Sequence, residues 1–554
     1  MSPGGNLRVG IRTDQWGGPV AAPQHAEYNR DEVNIFLRLL QEATRPTPDG
    51  GASNYVPPSG GEVAEANYHH FVFGQRGSGK SSLLRHLQAR AVAEKRGVVW
   101  IDQEIFSALA YPDVLVSAVL ELFKGLAKTV SELPRKESGF WSRLLHRLPW
   151  IRPEATLLDR LNASVLELQR LKLAPLDQKL QMTISEEGSH SSGGKAGLRV
   201  KLMSVEGSRA KTQKHATTTI QTIEGSKEDY LERSLIDFRD LIREASHELG
   251  GGFVFVDDLY QLQRSTQPLV LGYLHRLTKD TGFWLKVGSI RYSTITYKPG
   301  DPPRGMQIGH DAQEVALDRG LRHFNATQAF LETILTSIAT NAGVDNNALL
   351  TTDARKRLVL AAGGVARDYL RLVSGSITEA RNRGVSAKTG SHRVIVEDVN
   401  KAAGALAPTK FEDLKKDEPL EAAQLEALVR DLTEFCRRTK AAYFLLASDQ
   451  TVLGAQVNKL QHLRFTHLLF ESETVPDRGS QRFNGWLLDV AELSAQRATK
   501  GMDFLGWENR EKRRNRNLIY PQPVIAARES AKEPSKPRRP SDQTIQETLL
   551  FDTD

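Results

Sequence analysis

A glycine-rich segment in the first quarter of the chain has the residue types that bind phosphate groups. It fits the pattern G-x-x-x-x-G-K-[ST], known as the P-loop, and lies between an apolar stretch, HHFVF, and a helical one, SSLLRHL. Glycines allow consecutive backbone N–H groups to curl around phosphates, and the following helix adds the positive end of its dipole. The residues predicted to bind nucleotide are Gly74, Gln75, Arg76, Gly77, Ser78, Gly79, Lys80, Ser81 and Ser82.

Two of these residues have defined roles in the predicted chemistry. Lys80 is expected to reach the β- and γ-phosphates of ATP, and the Ser81 hydroxyl is expected to bind Mg²⁺. A glycine-rich turn that fits the pattern by chance is the alternative. The flanking strand and helix patterns favour phosphate binding.

The acidic half of such a site should follow another buried strand. Asp257 and Asp258 follow the apolar run FVFV, and Ser289 lies near the end of a third run. We expect Asp257 to hold Mg²⁺ and Asp258 to polarise the attacking water, unless Asp258 only caps the next helix. Ser289 is the predicted contact to the γ-phosphate, although serine at a strand end also serves in turns.

The elements that must position these residues alternate between strands and helices. HHFVF, the glycine loop, a helix and GVVWID form a βαβ unit, and further short apolar strands predict an α/β fold with a buried parallel sheet. A Ser/Gly/Thr-rich stretch at 175–225 predicts an inserted β-hairpin or mobile loop. The predicted divisions are an arm and helix (1–66), a nucleotide-binding domain (67–325) with an insertion at about 125–228, an all-α domain (326–406), a helix-helix-hairpin domain (419–518) and a disordered tail (519–554).

This order of parts resembles the AAA+ ATPases, and among them the initiator clade of the origin recognition complex and archaeal Cdc-type proteins. The resemblance implies a P-loop parallel sheet, an α-helical lid and a C-terminal winged helix. VALDRGLRHFNATQAFLETIL looks like the passage to the lid, which makes Arg319 and Arg322 candidates for an arginine that reaches a neighbouring subunit's nucleotide. The motif Gly-Gly-Val-Ala-Arg resembles sensor 2 and implicates Arg367, and Tyr28 with Arg30 matches the adenine contact.

Three departures from the family pattern qualify what the resemblance implies. The strand-end pair is Asp-Asp rather than Asp-Glu, Ala366 replaces the usual proline of sensor 2, and a long insertion separates the two halves of the site. Asp-Asp also occurs in STAND signalling ATPases. Slow ATP hydrolysis, or switching by nucleotide occupancy, is expected from either family.

The winged-helix resemblance implies a DNA-binding surface. Lys459 and Gln456 are predicted to approach the major groove, with Arg478 and Arg482 of the hairpin tip along the minor groove or backbone. Winged helices also dock proteins, which is the alternative. A basic cluster directly after this domain is predicted to contact phosphates, rather than being only a solvated helix end; its cations are Arg510, Lys512, Arg513, Arg514 and Arg516.

The C-terminal tail carries a short pattern of a different kind. Gln546, Leu549 and Phe551 fit Q-x-x-L-x-F, which resembles the peptides by which bacterial DNA-metabolism proteins bind the replication sliding clamp. The alternative is an apolar patch that folds back on its own domain.

Charge and cysteine content set limits on the class of protein. The 554 residues include 74 Lys and Arg against 67 Asp and Glu, and the excess is local: residues 509–540 hold ten cations and three glutamates. One cysteine excludes an internal disulfide framework and a cysteine-rich zinc site. The absence of apolar spans and of a signal-peptide pattern predicts a cytoplasmic protein without a membrane segment.

These features support two hypotheses. The first is an ATP-binding and slowly hydrolysing AAA+ switch or loader that self-associates through its nucleotide interfaces and recruits or remodels proteins on DNA. Replication, transposition and anti-phage defence are the settings for such machines, with any effector encoded separately. The second is a STAND-like signalling ATPase that senses a protein ligand without DNA.

Overall fold

The structure, a computed structural model, describes residues 31–44, 56, 61–133, 155–175, 180–187, 197–202, 220–386, 393–476, 478–495 and 499–521. The strands are β1 (His70–Phe73), β2 (Gly97–Asp102), β3 (Leu180–Glu187), β4 (Gly197–Leu202), β5 (Ile220–Gly225), β6 (Gly252–Asp257), β7 (Phe283–Ser289), β8 (Tyr297–Lys298), β9 (Arg304–Gly305), β10 (Gln313–Ala316), β11 (Tyr443–Ala447), β12 (Thr466–Thr474) and β13 (Arg482–Leu488). The α-helices are α1 (Asp31–Ala43), α2 (Lys80–Ala93), α3 (Asp113–Ser131), α4 (Leu157–Leu173), α5 (Lys227–Leu249), α6 (Gln267–Thr278), α7 (Phe324–Asn341), α8 (Asn346–Leu349), α9 (Thr352–Ala362), α10 (Ala366–Ser386), α11 (Val396–Gly404), α12 (Ala407–Asp417), α13 (Ala422–Thr439), α14 (Thr451–His462), α15 (Val490–Ala495) and α16 (Arg510–Arg513). Among these described helices, none is long and apolar enough to cross a membrane.

A five-stranded parallel sheet forms the centre of the N-terminal half of the fold. Its strand order is β10-β1-β7-β6-β2, and every neighbouring pair is parallel. The predicted α/β class with a parallel sheet is therefore confirmed, and this sheet is compatible with a P-loop domain. The carboxyl ends of parallel strands meet at one edge, which brings the ends of β1, β6 and β7 together.

Alternation along the strands explains why both faces of the sheet are covered. Val72, Phe253 and Phe255 pack with α2 on one face. Val254 and Val256 point to the other face and join the core formed with α3, α5 and α6. Because successive strand residues face opposite sides, continuous apolar runs such as FVFV need helices on both.

In its described residues, the insertion adds a helix and a small antiparallel sheet. Its helix is α4, which starts with a capping box between Thr156 and Asp159. The stretch predicted as a hairpin contains three strands in the order β4-β3-β5. Tyr230 of α5 donates a 2.8 Å hydrogen bond to Glu167 of α4, which ties the insertion to the sheet domain.

The helices α1 and α7–α11 form a helical unit that shares one apolar core with the C-terminal module, which we define as residues 407–521. Phe324 at the start of α7 packs edge-on against Trp507, with 5.9 Å between ring centroids. The Arg357 guanidinium lies 3.5 Å from the centre of the Phe504 ring. The helical unit and the C-terminal module are therefore in extensive contact.

The C-terminal module is built around a three-stranded antiparallel sheet with the order β11-β13-β12. One helix, α14, connects β11 to β12 and carries Gln456 and Lys459. The module continues to the end of the described chain, where Tyr520 is buried and packs on Phe435.

Candidate nucleotide-binding site

The glycine loop connects the end of β1 to the start of α2. Gly77 has φ +88° and Gly79 has φ +97°, conformations that side-chain-bearing residues rarely adopt. No side chain caps the N-terminus of α2 among the described residues, so its first-turn N–H groups remain open to an anion. The Ser78 hydroxyl is buried without a hydrogen-bond partner in the described part of the chain. Together these groups provide several hydrogen-bond donors for an anion.

Lys80 is buried at the base of this loop, with 6% of its surface exposed. Its Nζ donates hydrogen bonds to the carbonyl oxygens of Gly74 (2.9 Å) and Gln75 (3.0 Å). Burial lowers the pKa of the ammonium to about 8, while the neighbouring Asp258 and Asp257 carboxylates act in the opposite direction. Near pH 7 this side chain is therefore a buried cation aimed into the loop.

Asp257 ends β6 and is 5% exposed. Ser81 donates a side-chain hydrogen bond to this carboxyl, and the Asp258 amide donates another at 3.0 Å. Burial, together with the adjacent Asp258 charge, raises the pKa of Asp257 to about 6. The two residues predicted to hold Mg²⁺ thus lie side by side, although they are 176 positions apart in the chain.

Asp258 adopts the left-handed conformation, with φ +52°, directly after this strand. It precedes the short 3-10 helix Leu259–Gln261 but makes no side-chain capping bond, so the capping alternative is not supported. Burial raises the pKa of its carboxyl, and Tyr260 hydrogen-bonds to it. Its carboxylate also approaches those of Asp102 and Glu104, with ligand atoms of the three within 4.8 Å of one another.

Ser289 lies beside the glycine loop but its hydroxyl is already engaged. It pairs with Phe73 in the sheet, and its carbonyl accepts a 3.2 Å hydrogen bond from the Gly74 amide. The hydroxyl is fully buried and lies 2.6 Å from that of Thr294. A contact to a γ-phosphate would require exchange of this bond.

Arg367 lies directly on the glycine loop, although it comes from the helical unit. Its backbone amide donates a 3.2 Å hydrogen bond to the carbonyl of Gly77. A Cβ atom at Gly77 would stand 2.7 Å from Arg367 Nε, so this backbone approach requires glycine. Burial lowers the pKa of the guanidinium, and its Nε has no hydrogen-bond partner among the described residues.

Arg319 and Arg322 occupy the connection between β10 and α7. The Arg319 guanidinium lies 4.1 Å from the centre of the Phe330 ring. Arg322 forms a 3.2 Å ion pair with Glu471 on β12. Both arginines therefore contact their own chain. Tyr28 and Arg30, the predicted adenine contacts, lie outside the described residues.

A cleft of about 760 Å³ opens beside the loop, between the carboxyl edge of the sheet and the C-terminal module. The Arg76 guanidinium is 3.5 Å from the carboxylate of Asp417 on α12. Tyr292, three residues after β7, stacks on His462 of α14. The module therefore forms one wall of the cleft and contacts the glycine loop at Arg76.

The predicted DNA-contacting helix faces this cleft. Lys459 bonds to Glu418 (2.9 Å) and Glu421 (3.0 Å), and Gln456 lines the same cleft. An amphipathic pattern defines the buried side of a helix but not the neighbour of its polar side. Both side chains are partly exposed, and their contact with a DNA groove stays a prediction.

The remaining basic residues divide into exposed and engaged ones. Arg513 pairs with Glu473, and Arg514 donates a 2.6 Å hydrogen bond to the Thr474 carbonyl, so both fasten the chain onto β12. The side chains that stay exposed are Arg478, Arg482, Arg510, Lys512 and Arg516. Gln546, Leu549 and Phe551 lie outside the described residues.

Two contacts of the site were not predicted from the sequence. Asp318 accepts a 2.7 Å hydrogen bond from the Gln75 amide, and Tyr260 lies with its ring centre 5.7 Å from Lys80 Nζ. Asp318 follows the last strand of the sheet closely, which is a usable signal because strand ends converge there. Nothing in the sequence marks Tyr260. No protein-family model matches the chain, and no curated protein sequence is significantly similar to it.

Proposed function

We propose that the protein is an ATP-dependent switch or loader of the AAA+ type, which binds ATP, hydrolyses it slowly and recruits or remodels partner proteins on DNA. The observation that carries the proposal is that residues predicted to bind nucleotide lie together in the structure. Ser81, Asp257 and Arg367 come from three distant parts of the chain and meet around one glycine loop. A separate sequence pattern predicts a nucleotide-binding role for each of them.

The donors present fit a nucleotide phosphate with a magnesium ion. Open amides at the start of α2, the orphan Ser78 hydroxyl and the Lys80 ammonium supply positive potential for phosphate oxygens. Ser81 and Asp257 supply the oxygen ligands that Mg²⁺ prefers, and the ion would neutralise phosphate charge. Arg367 would add a forked donor from the helical unit, which then acts as a lid.

Slow turnover follows from the groups around the predicted water position. Asp258 has a shorter side chain than the glutamate usual in the resembled family, and the Ser289 hydroxyl is bonded to Thr294. The C-terminal module also covers Arg76 of the loop through its ion pair with Asp417. Release of that cover would be the step that nucleotide controls.

The DNA-associated part of the proposal rests on exposed cations. Arg510, Lys512 and Arg516 are exposed on a segment packed against β12 and β11, which suits phosphate contact by a winged-helix-like module. Self-association through nucleotide interfaces is proposed to take Arg319 or Arg322 to a neighbouring subunit. A separately encoded effector and, through the tail at 546–551, a sliding clamp are the other proposed partners.

One observation favours the STAND-like alternative. Lys459 on the polar side of α14 is ion-paired with Glu418 and Glu421, and the module contacts the glycine loop through Asp417. A switch that opens on binding a protein ligand would use this arrangement without DNA.

The decisive experiment compares ATP binding and turnover in the wild type, Lys80→Ala and Asp258→Ala. Lys80→Ala should lose ATP binding, whereas Asp258→Ala should keep binding and lose turnover. Lys128→Ala, an exposed lysine on α3, is the matched control and should behave as wild type. ATP binding that survives in Lys80→Ala rejects the site. Duplex DNA binding measured against salt, with and without ATP, separates the two hypotheses.

A further inference from the structure

Arg464, in the turn between α14 and β12, connects the C-terminal module to the candidate nucleotide site. Its Nη1 is 2.6 Å from the carboxylate of Asp368, and its Nη2 is 3.6 Å from that of Asp413. Its side chain is 14% exposed and its backbone has φ +67°, a conformation unfavourable for arginine. Lys410 donates to its carbonyl at 3.3 Å. Surrounding contacts therefore hold this residue in a strained position.

Asp368 is the direct neighbour of Arg367 in the first turn of α10. Asp368 is 8% exposed, and its second carboxylate oxygen lies 3.9 Å from Arg367 Nε. One buried carboxylate thus lies between two arginines, one on the glycine loop and one on the C-terminal module. Because both residues belong to one rigid helical turn, a displacement of Arg367 must also move Asp368.

A second contact restrains the first turn of α10, which carries Arg367 and Asp368. Gly363 and Gly364 lead into α10 with φ +59° and +86°. The His467 ring of β12 fills the space beside Gly363, where a Cβ atom would collide with it. Burial lowers the pKa of His467 to about 4, so the ring packs as a neutral group. The turn is therefore held between the glycine loop and β12.

We propose that Arg464 is a positioning residue for Arg367 and that it transmits nucleotide occupancy to the C-terminal module. The proposal rests on the proposed nucleotide site. A phosphate that engages Arg367 competes with its weak contact to Asp368, which leaves this carboxylate to Arg464 and strengthens the bond between lid and module. By linkage, docking of the module then raises the affinity for nucleotide by the same factor.

The test measures ATP affinity by calorimetry in the presence of Mg²⁺ for the full-length wild type, Arg464→Met, Asp368→Asn and the double variant. Arg464→Met should bind ATP roughly 5- to 150-fold more weakly, the range of typical coupling between sites, because Asp368 without Arg464 is left to pair with Arg367. Asp368→Asn removes this competing carboxylate, so Arg464→Met should cause little further loss in the Asp368→Asn background. The double variant should be no weaker than the worse single one, because both remove the same contact. Arg464→Lys should recover part of the affinity.

Loss of a buried ion pair also lowers stability, so a matched control is needed. Arg383 and Asp398 form another buried pair, 2.9 Å apart, between α10 and α11 of the helical unit. Arg383→Met should lower the melting temperature as Arg464→Met does, yet bind ATP as the wild type. Hydrogen exchange supplies a readout that stability alone does not move: ATP should protect residues 459–468 in the wild type and not in Arg464→Met.

The possible outcomes separate this inference from the function on which it rests. If the wild type binds no nucleotide, both are rejected. If it binds and Arg464→Met has the same affinity, or if Arg383→Met loses as much, only the role of Arg464 is rejected. Additive losses in the double variant, or ATP-dependent protection that persists in Arg464→Met, also reject it.

Discussion

The backbone amide of Arg367 donates a 3.2 Å hydrogen bond to the carbonyl of Gly77, which places the first turn of α10 on the glycine loop. The two residues are 290 positions apart and belong to different units of the fold. The loop proposed to bind phosphate and the helix proposed to follow its movement are thereby in direct contact. A switch needs such a contact, because binding energy at one unit must change the position of another.

The side chain of Arg367 should therefore contribute to nucleotide affinity. We expect Arg367→Ala to bind ATP roughly 10- to 100-fold more weakly, since a charge-assisted hydrogen bond contributes about 1.5–3 kcal/mol. Arg371→Ala, one turn further along the same helix and exposed, removes the same charge and should bind as the wild type. Equal affinities for the two variants would mean that Arg367 makes no phosphate contact.

Two glycines of the loop should differ in their tolerance of alanine. Both have positive φ, so each substitution costs about 1–2 kcal/mol of backbone strain. At Gly79 an added Cβ meets nothing within 4 Å, whereas at Gly77 it meets Arg367 at 2.7 and 2.8 Å. Gly77→Ala should therefore lower the free energy of unfolding more than Gly79→Ala, in denaturant titrations without nucleotide. A larger loss at Gly79 would contradict the observed approach of α10.

The parts of the site that could be predicted from sequence are the local ones. A glycine loop between an apolar strand and a helix, and acids after a buried run, place Lys80, Ser81 and Asp257 because the sheet brings strand ends together. Contacts between distant side chains carry no such signal. The Asp368–Arg464 pair depends on how the helical unit and the C-terminal module pack, and the position of the Tyr260 ring beside Lys80 depends on the path of the chain after β6.

Helix α14 also shows that sequence predicts the buried side of a helix but not its contacts with distant residues. Its apolar residues Leu453, Val457 and Leu460 are buried, as their spacing indicates. The pattern leaves the partner of the polar side open, and a surface lysine is equally compatible with DNA phosphate or with an acidic neighbour. Lys459 has the acidic neighbours, Glu418 and Glu421, which lie just before α13.

Removal of the Asp257 charge should stabilise the protein while abolishing the proposed magnesium site. The pKa of Asp257 is about 6 in the fold against 3.8 when exposed, so the ionised form destabilises the folded state above pH 6. Asp257→Asn should raise the free energy of unfolding by about 1–3 kcal/mol at pH 7.5 in EDTA. The gain should shrink as the pH falls from 6 to 4 and vanish only below the unfolded-state pKa of 3.8, where the wild-type carboxyl is protonated in both states. A variant less stable than wild type at pH 7.5 would show that the Ser81 bond outweighs the burial.

The same variant separates stability from ligand binding. Magnesium should raise the melting temperature of the ATP-bound wild type and leave that of Asp257→Asn unchanged, since the ion loses a carboxylate ligand. Asp318→Asn is a useful comparison, because Asp318 contacts the loop through the Gln75 amide and was not assigned to the metal. Its response to magnesium should match that of the wild type.

The exposed cations of the C-terminal segment should control DNA affinity without supporting the fold. Arg510→Ala, Lys512→Ala and Arg516→Ala together should weaken duplex binding. They should also reduce the slope of log affinity against log salt by about 2–3, because each phosphate contact contributes about 0.9. A matched triple variant, Lys124→Ala with Lys128→Ala and Arg233→Ala, changes the net charge equally on the sheet domain and should bind as the wild type. Arg513→Met should instead lower stability, because Arg513 pairs with Glu473. If both triple variants bind DNA equally, the attraction of the protein to DNA depends on its overall charge and not on the C-terminal segment. That result would favour the STAND-like alternative.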